Sequence, residues 1–208
     1  MAGLPAQAHA ETVGAFNVEG GARGTDYSYD GGVLSILTDA PLTVSMANPG
    51  ETTNSDRIVV PSSNKAADVT LAGVNIELSD DYGCAFEIKL LASAKLTLAK
   101  GSANSLVSGC RRAGLEVCDD ASLTIGGEGS LEAKCLGDDA YGAGIGGGYN
   151  GYVGSVEITG GTVTASCESS AETGAAYGAG IGSGREGSRG RIQISGGSVA
   201  ASCESGGR

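Results

Sequence analysis

The sequence predicts an all-β chain wound as a right-handed parallel β-helix, about five three-strand coils behind an N-terminal cap. Three observations predict it. First, the text repeats at a fixed period: Ala140-Tyr-Gly-Ala-Gly-Ile-Gly146 returns as Ala176-Tyr-Gly-Ala-Gly-Ile-Gly182, 36 residues on. Fixed-period self-similarity means a stack of like units, each burying its apolar face only against its neighbours. Second, apolar residues can be written as three ladders visited in strict rotation. The first runs Ile58, Phe86, Leu115, Ile145, Ile181; the second Val69, Leu96, Leu123, Val156, Ile192; the third Ile76, Leu106, Leu131, Val163, Val199. Third, each member sits in a short alternating segment such as Lys95-Leu-Thr-Leu98, the mark of a strand with one buried face. Connection handedness selects the right-handed coil. A β-sandwich, the competing fold, needs no in-register period.

The elements follow in order. Residues 1–10 end in Ala8-His9-Ala10, the small-x-small form of an export cleavage site, and read as the remnant of a signal peptide. Residues 11–57 fit the period less well and read as a cap with an incomplete first coil, because atypical end units close a solenoid. Residues 58–208 are the coils, about 27 to 30 residues each at first and 36 later. The added length falls in two Gly-rich loops, 144–154 and 180–190. Gly126-Gly127, Gly160-Gly161 and Gly196-Gly197 mark turns, where glycine supplies positive φ. The text stops where another Tyr-Gly-Ala-Gly unit is due, so the expectation is a longer parent chain with further domains.

Composition narrows function. There are 24 Asp and Glu against 13 Lys and Arg, which argues against nucleic acid as a partner, since phosphate binding needs cations. No apolar run is long enough to span a membrane. His9 is the only histidine and falls in the leader remnant, so histidine catalysis and ligation are not expected. Six cysteines suit an exported protein in which disulfides persist. Cys135, Cys167 and Cys203 share one repeat position; either one pair of them bonds or they form a buried ladder of thiols. Cys84 and Cys110 form a second candidate pair.

One more column lies four residues before the first ladder: Tyr82, Arg111, Tyr141, Tyr177. With Tyr149 and Tyr152 on the first long loop, it is the candidate carbohydrate-binding face, because tyrosine offers flat, partly apolar surfaces with a polar tip. Asp80, Asp81, Asp138, Asp139 and Glu172 stand beside it and are candidate Ca²⁺ ligands, being hard oxygen donors. The competing reading is that stacked tyrosines shield a corner and turn aspartates do ordinary turn chemistry. No catalytic residue is assigned. A polysaccharide lyase would need an Arg base beside Ca²⁺-bound carboxylates, and Arg111-Arg112 is the only such group. Arg111 and Arg112 themselves read more readily as solvated turn residues.

The runs Val69-Thr-Leu-Ala-Gly-Val-Asn-Ile76, Lys95-Leu-Thr-Leu-Ala-Lys-Gly-Ser-Ala-Asn-Ser-Leu106 and Leu123-Thr-Ile-Gly-Gly-Glu-Gly-Ser-Leu-Glu-Ala133 resemble the bacterial carbohydrate-binding domain family with a right-handed β-helix fold. The Gly-Ala-Gly-Ile-Gly-Gly-Gly and Ile-Ser-Gly-Gly-Ser-Val-Ala-Ala units look like repeats of large Gram-positive surface proteins. The resemblance covers roughly residues 30–203. It implies a secreted or cell-surface bacterial protein, Ca²⁺, and plant-wall polysaccharides such as polygalacturonate. The expected function is therefore a non-enzymatic, extracellular module that binds polysaccharide or host glycan. The alternatives are a structural stalk or adhesin segment, and a lyase.

Overall fold

A computed structural model describes residues 10–64, 66–188 and 190–206. The expected leader remnant lies outside them but for Ala10. The chain begins with β1 (Ala10–Val13), β2 (Phe16–Glu19), β3 (Tyr27–Asp30), β4 (Val33–Ile36) and β5 (Leu42–Met46). Five rotations follow. They are β6 (Arg57–Val60), β7 (Ala67–Leu71), β8 (Asn75–Glu77); β9 (Phe86–Ile88), β10 (Ser93–Leu98), β11 (Ala103–Ser108); and β12 (Leu115–Val117), β13 (Ser122–Gly127), β14 (Ser130–Gly137). Then come β15 (Ile145–Gly146), β16 (Ser155–Ile158), β17 (Thr162–Ser169); and β18 (Ile181–Gly182), β19 (Arg191–Ile194), β20 (Ser198–Glu204). Each rotation contributes one strand to each of three sheets, and every pairing among β6 to β20 is parallel. The protein is a right-handed parallel β-helix.

The first ladder stands in the expected register: Ile58 opposite Phe86, then Leu115, Ile145 and Ile181. The other two ladders hold except at one step. Leu96 faces Ile125, and Leu123 faces Ala94. Leu106 faces Ala133, and Leu131 faces Asn104. Both differences are two residues, which keeps every side chain on its original face. Asn104 explains the shift in the third ladder. It occupies an inward position that apolar patterning passes over. Its Oδ1 accepts from the N–H groups of Gly73 and Val74, both at 2.9 Å, and its Nδ2 donates to the Ser130 carbonyl at 3.0 Å. A buried amide satisfied by the coils on either side locks register as firmly as an apolar pair.

The N-terminal strands join the stack antiparallel. β1 pairs with β2, β2 with β5, and β3 with β4; only β4 and β5 then pass the pattern on in parallel to β6 and β7. Hairpins there keep the first parallel strands from being bare edges. Asp56 ties the pieces together, accepting from Ala15 N at 2.7 Å and from the Tyr29 hydroxyl at 2.9 Å. The buried Tyr27 hydroxyl donates to Glu11 at 2.8 Å. Burial and that carboxylate push the Tyr27 phenol up to about 12. The sign is simple. A phenol whose folded pKa is raised adds stability fully present below its unfolded value, and loses it as pH rises through the folded one. The cap is therefore expected to loosen between about pH 10 and 12, and Tyr27→Phe removes that component. Alkaline unfolding curves of the two proteins, followed by far-UV circular dichroism, check it.

Ile192 and Ile194 point inward along β19 yet are 43% and 53% exposed, since no described coil covers them.

Candidate functional site

The corner leading into the first-ladder sheet carries the tyrosine column, and the continuous register of that ladder brings its members together. Arg111 lies over the rings of Tyr82 and Tyr141, each 5.5 Å from guanidinium to ring centre, and over Tyr149 at 5.2 Å. Tyr141 and Tyr177 stack with centroids 5.3 Å apart and planes 6° from parallel. Tyr149 closes on Tyr141 at 5.4 Å and 58°. Arg185, which sequence reasoning passed over, joins the stack over Tyr177 at 4.5 Å and over Tyr141 at 5.4 Å. The signal was available: Arg185 falls in the second Gly-rich loop 36 residues after Tyr149. Tyr152 instead forms a bridge with Ser188 between the two long loops and is half exposed.

The geometry constrains what the column can do. A ring stacked on its neighbour has spent that face, so Tyr141 and Tyr177 present edges and hydroxyls more than flat surface. Tyr82, at the lower end, is the most open at 62%. Arg111 has no carboxylate within ion-pair distance among the described residues. Its charge is held by ring quadrupoles, an arrangement that leaves it attractive to an anion.

The five candidate Ca²⁺ ligands behave differently. Asp138 Oδ1 accepts from the Ser170 hydroxyl at 3.1 Å; Asp139 accepts from Ala175 N at 2.9 Å and from the Tyr141 hydroxyl at 3.3 Å. Asp80 Oδ1 receives the Tyr82 N–H at 3.4 Å. Burial, with Asp81 beside it, pushes the Cys110 thiol up to about 11. Among the described residues no three of Asp80, Asp81, Asp138, Asp139 and Glu172 converge on one point.

A different group does converge. Glu87 and Glu116 are register partners on the outer face of the first-ladder sheet. That face would meet solvent, but the loop after β15 lies over it; a side chain at Gly148 would come within 3.0 Å of Glu116 Oε2. Arg112, the expected solvated turn residue, turns inward instead. It donates to Glu87 at 2.8 Å, and its Nε stands 2.8 Å from Glu116 Oε2. The second contact lacks hydrogen-bond alignment, so it is an ion pair rather than a directed bond. Burial raises the Glu116 carboxyl against the pull of Arg112. Burial, with the two glutamates, pushes the Cys118 thiol up to about 12. Glu87, Glu116 and Cys118 have the spacing of metal ligands, but the guanidinium already supplies their cation. Two glutamates 29 residues apart with an arginine four residues before the second gave no local signal; only stacking joins them.

All six cysteines are free thiols, which corrects the disulfides expected from an exported chain. Cys84 and Cys110 face different partners. Cys84 donates to Phe86 O and Ala113 O, whereas Cys110 lies where a side chain at Gly137 would meet its Cβ at 2.4 Å.

Residues 123–149 and 156–185 match the β-helix repeat family. The repeat thus takes in β13 and β16 through the corners that carry Tyr141, Tyr149 and Tyr177. No curated protein and no solved structure matches the chain.

Proposed function

We propose that the chain is a non-enzymatic, extracellular carbohydrate-binding module of a bacterial surface protein, with the column of Tyr82, Arg111, Tyr141 and Tyr177 as its ligand face. Arg111 carries this reading: an aromatic-held guanidinium with no carboxylate partner among the described residues, on an otherwise acidic molecule. It would pair with the carboxylate of an acidic sugar, while ring edges and tyrosine hydroxyls hydrogen-bond the neighbouring units. Arg112 is engaged by two glutamates and Arg111 is enclosed by rings, so the reading has no general base. Calcium enters as a bridge between sugar acids and the turn carboxylates around Asp80 and Asp138. A spacer role is the second reading, favoured by the Tyr141–Tyr177 faces being packed on each other.

Calorimetry with acidic and neutral oligosaccharides, run with Ca²⁺ and with chelator, separates these. Binding to an acidic polymer is expected, and Arg111→Ala should weaken it about tenfold or more, the effect of truncating an anchoring arginine. The protein has no tryptophan, so tyrosines dominate its near-UV circular dichroism, and a change on binding that Arg111→Ala loses reports on the stack. Absence of binding to every acidic and neutral glycan leaves the spacer.

A further inference from the structure

Arg111 and Arg112 are neighbours in the chain yet face opposite ways, one to the tyrosine rings and the other to Glu87 and Glu116. One carboxylate holds the turn that parts them. Glu116 Oε2 stands 2.8 Å from Arg112 Nε and accepts the Ala113 N–H at 3.2 Å, so it grips the turn by side chain and backbone together. The same oxygen lies beneath the loop after β15. A Cβ at Gly148 would stand 3.0 Å from it and 2.9 Å from the Arg111 carbonyl. That carbonyl accepts the Tyr149 N–H at 2.9 Å. The Tyr149 ring then meets the Arg111 guanidinium at 5.2 Å and Tyr141 at 5.4 Å. Glu116 is thus set against both pieces of chain whose meeting builds the middle of the column. These coils have described neighbours on both sides. The next coils show what the carboxylate stands in for. Register places Gly146 and Gly182 after Glu116. There the second long loop rests on the first: Asn150 N donates to Arg185 O at 2.9 Å, and a Cβ at Gly184 would strike Gly148 O at 2.5 Å. The coil before the first long loop turns within residues 118–121 and offers no loop to lie on. Glu116, with Arg112, fills that place.

We propose that Glu116 is the positioning residue of the tyrosine–arginine face: it fixes the turn that carries Arg111 and seats the loop that carries Tyr149, so that guanidinium and ring meet. It touches no ligand itself. A buried side chain governs a site it does not reach when it holds the elements that form the site. The consequence for glycan binding rests on the ligand face proposed above; the consequence for the tyrosine arrangement does not.

The test uses the whole chain and two variants. Glu116→Gln keeps the size of the side chain and leaves Arg112 paired with Glu87, so no charge is stranded. Gly148→Ala keeps the ion cluster and lifts the loop from above, because a methyl group does not fit at those distances. Far-UV circular dichroism establishes that each folds; should Glu116→Gln not fold, Gly148→Ala decides. Both should lose the part of the near-UV tyrosine signal that Tyr149→Leu loses, and neither should lower it further in a Tyr149→Leu background. In calorimetry with oligogalacturonate, each should bind about tenfold more weakly than the wild type, the size of effect of a group that acts through its neighbours. Glu116→Gln should add little to Arg111→Ala. A Glu116 that served stability alone would shift the urea midpoint and move neither signal. The proposal is overturned by a folded variant that keeps the near-UV signal, or by a loss that persists in full in the Tyr149→Leu background. Variants that keep both signal and affinity, beside a wild type that binds, overturn the positioning and leave the ligand face standing. Near-UV losses in both variants of a protein that binds no oligogalacturonate uphold the positioning and count against the ligand face.

Discussion

Replacing Arg112 with alanine is expected to destabilise the protein by about 3–5 kcal/mol, the usual consequence of leaving a buried charge without its partner. The argument rests on what remains. Arg112 reaches Glu87 and Glu116 at 2.8 Å each, and the Glu116 side chain is only 10% exposed. Without the guanidinium, two carboxylates on adjacent strands face each other under the glycine loop. They must repel, take up protons or push the loop aside. The sign of the pH dependence follows. Glu116 already has a raised folded pKa, and removing its cation raises it further. Such a carboxyl binds its proton better in the folded state, so the variant's deficit shrinks as pH falls and is largest above that raised pKa. Urea unfolding at pH 5 and pH 8 checks this, with the larger loss expected at the higher pH. Adding Glu87→Gln and Glu116→Gln to Arg112→Ala should return most of the stability, because no charge is then stranded. A loss near zero, or one independent of pH, would mean that the cluster is solvated.

This cluster also marks where the sequence is hard to read. The winding was legible because it depends on a property repeated in every coil. Alternation gives the face of each strand, and the period gives its neighbour. Exact register was less legible: a two-residue slip at Leu123 and Leu131 preserves every face, and the group that sets the true register in the third ladder is the polar Asn104. The tyrosine column was legible for the same reason as the winding, since its members keep a constant offset of four residues from the first ladder. Arg112 was not, because its partners come from the preceding coil and from the strand that follows its own turn, and its burial comes from a loop in the next coil. The cysteine column was legible in position, and of the two readings open for Cys135, Cys167 and Cys203 the structure has the ladder of thiols, each hydrogen-bonded to a corner carbonyl.

Phe86→Ala is the second change of that size, with an expected loss of about 3–5 kcal/mol. Phe86 is fully buried in the first ladder, between Ile58 on one side and Leu115 on the other. Its ring fills the interior where β9 and its neighbours meet, and strands held on both edges cannot close over the void. In a stack each unit is stabilised chiefly by the units touching it, so the loss falls on both adjoining interfaces at once. The same ladder supplies its own control. Ile181 belongs to the last described coil, is only partly buried, and has a described neighbour on one side alone. In a protein of these 208 residues, Ile181→Ala should therefore fall well below the roughly 2–5 kcal/mol typical of an isoleucine truncated in a packed interior, whereas Ile145→Ala, with described coils on both sides, should reach it. Urea unfolding of the three variants measures the gradient. Equal losses at Ile145 and Ile181 would contradict neighbour-by-neighbour stabilisation. A Phe86→Ala protein that unfolds in two steps would show that the coils on either side of β9 can melt apart, which nearest-neighbour coupling permits once its central contact is removed.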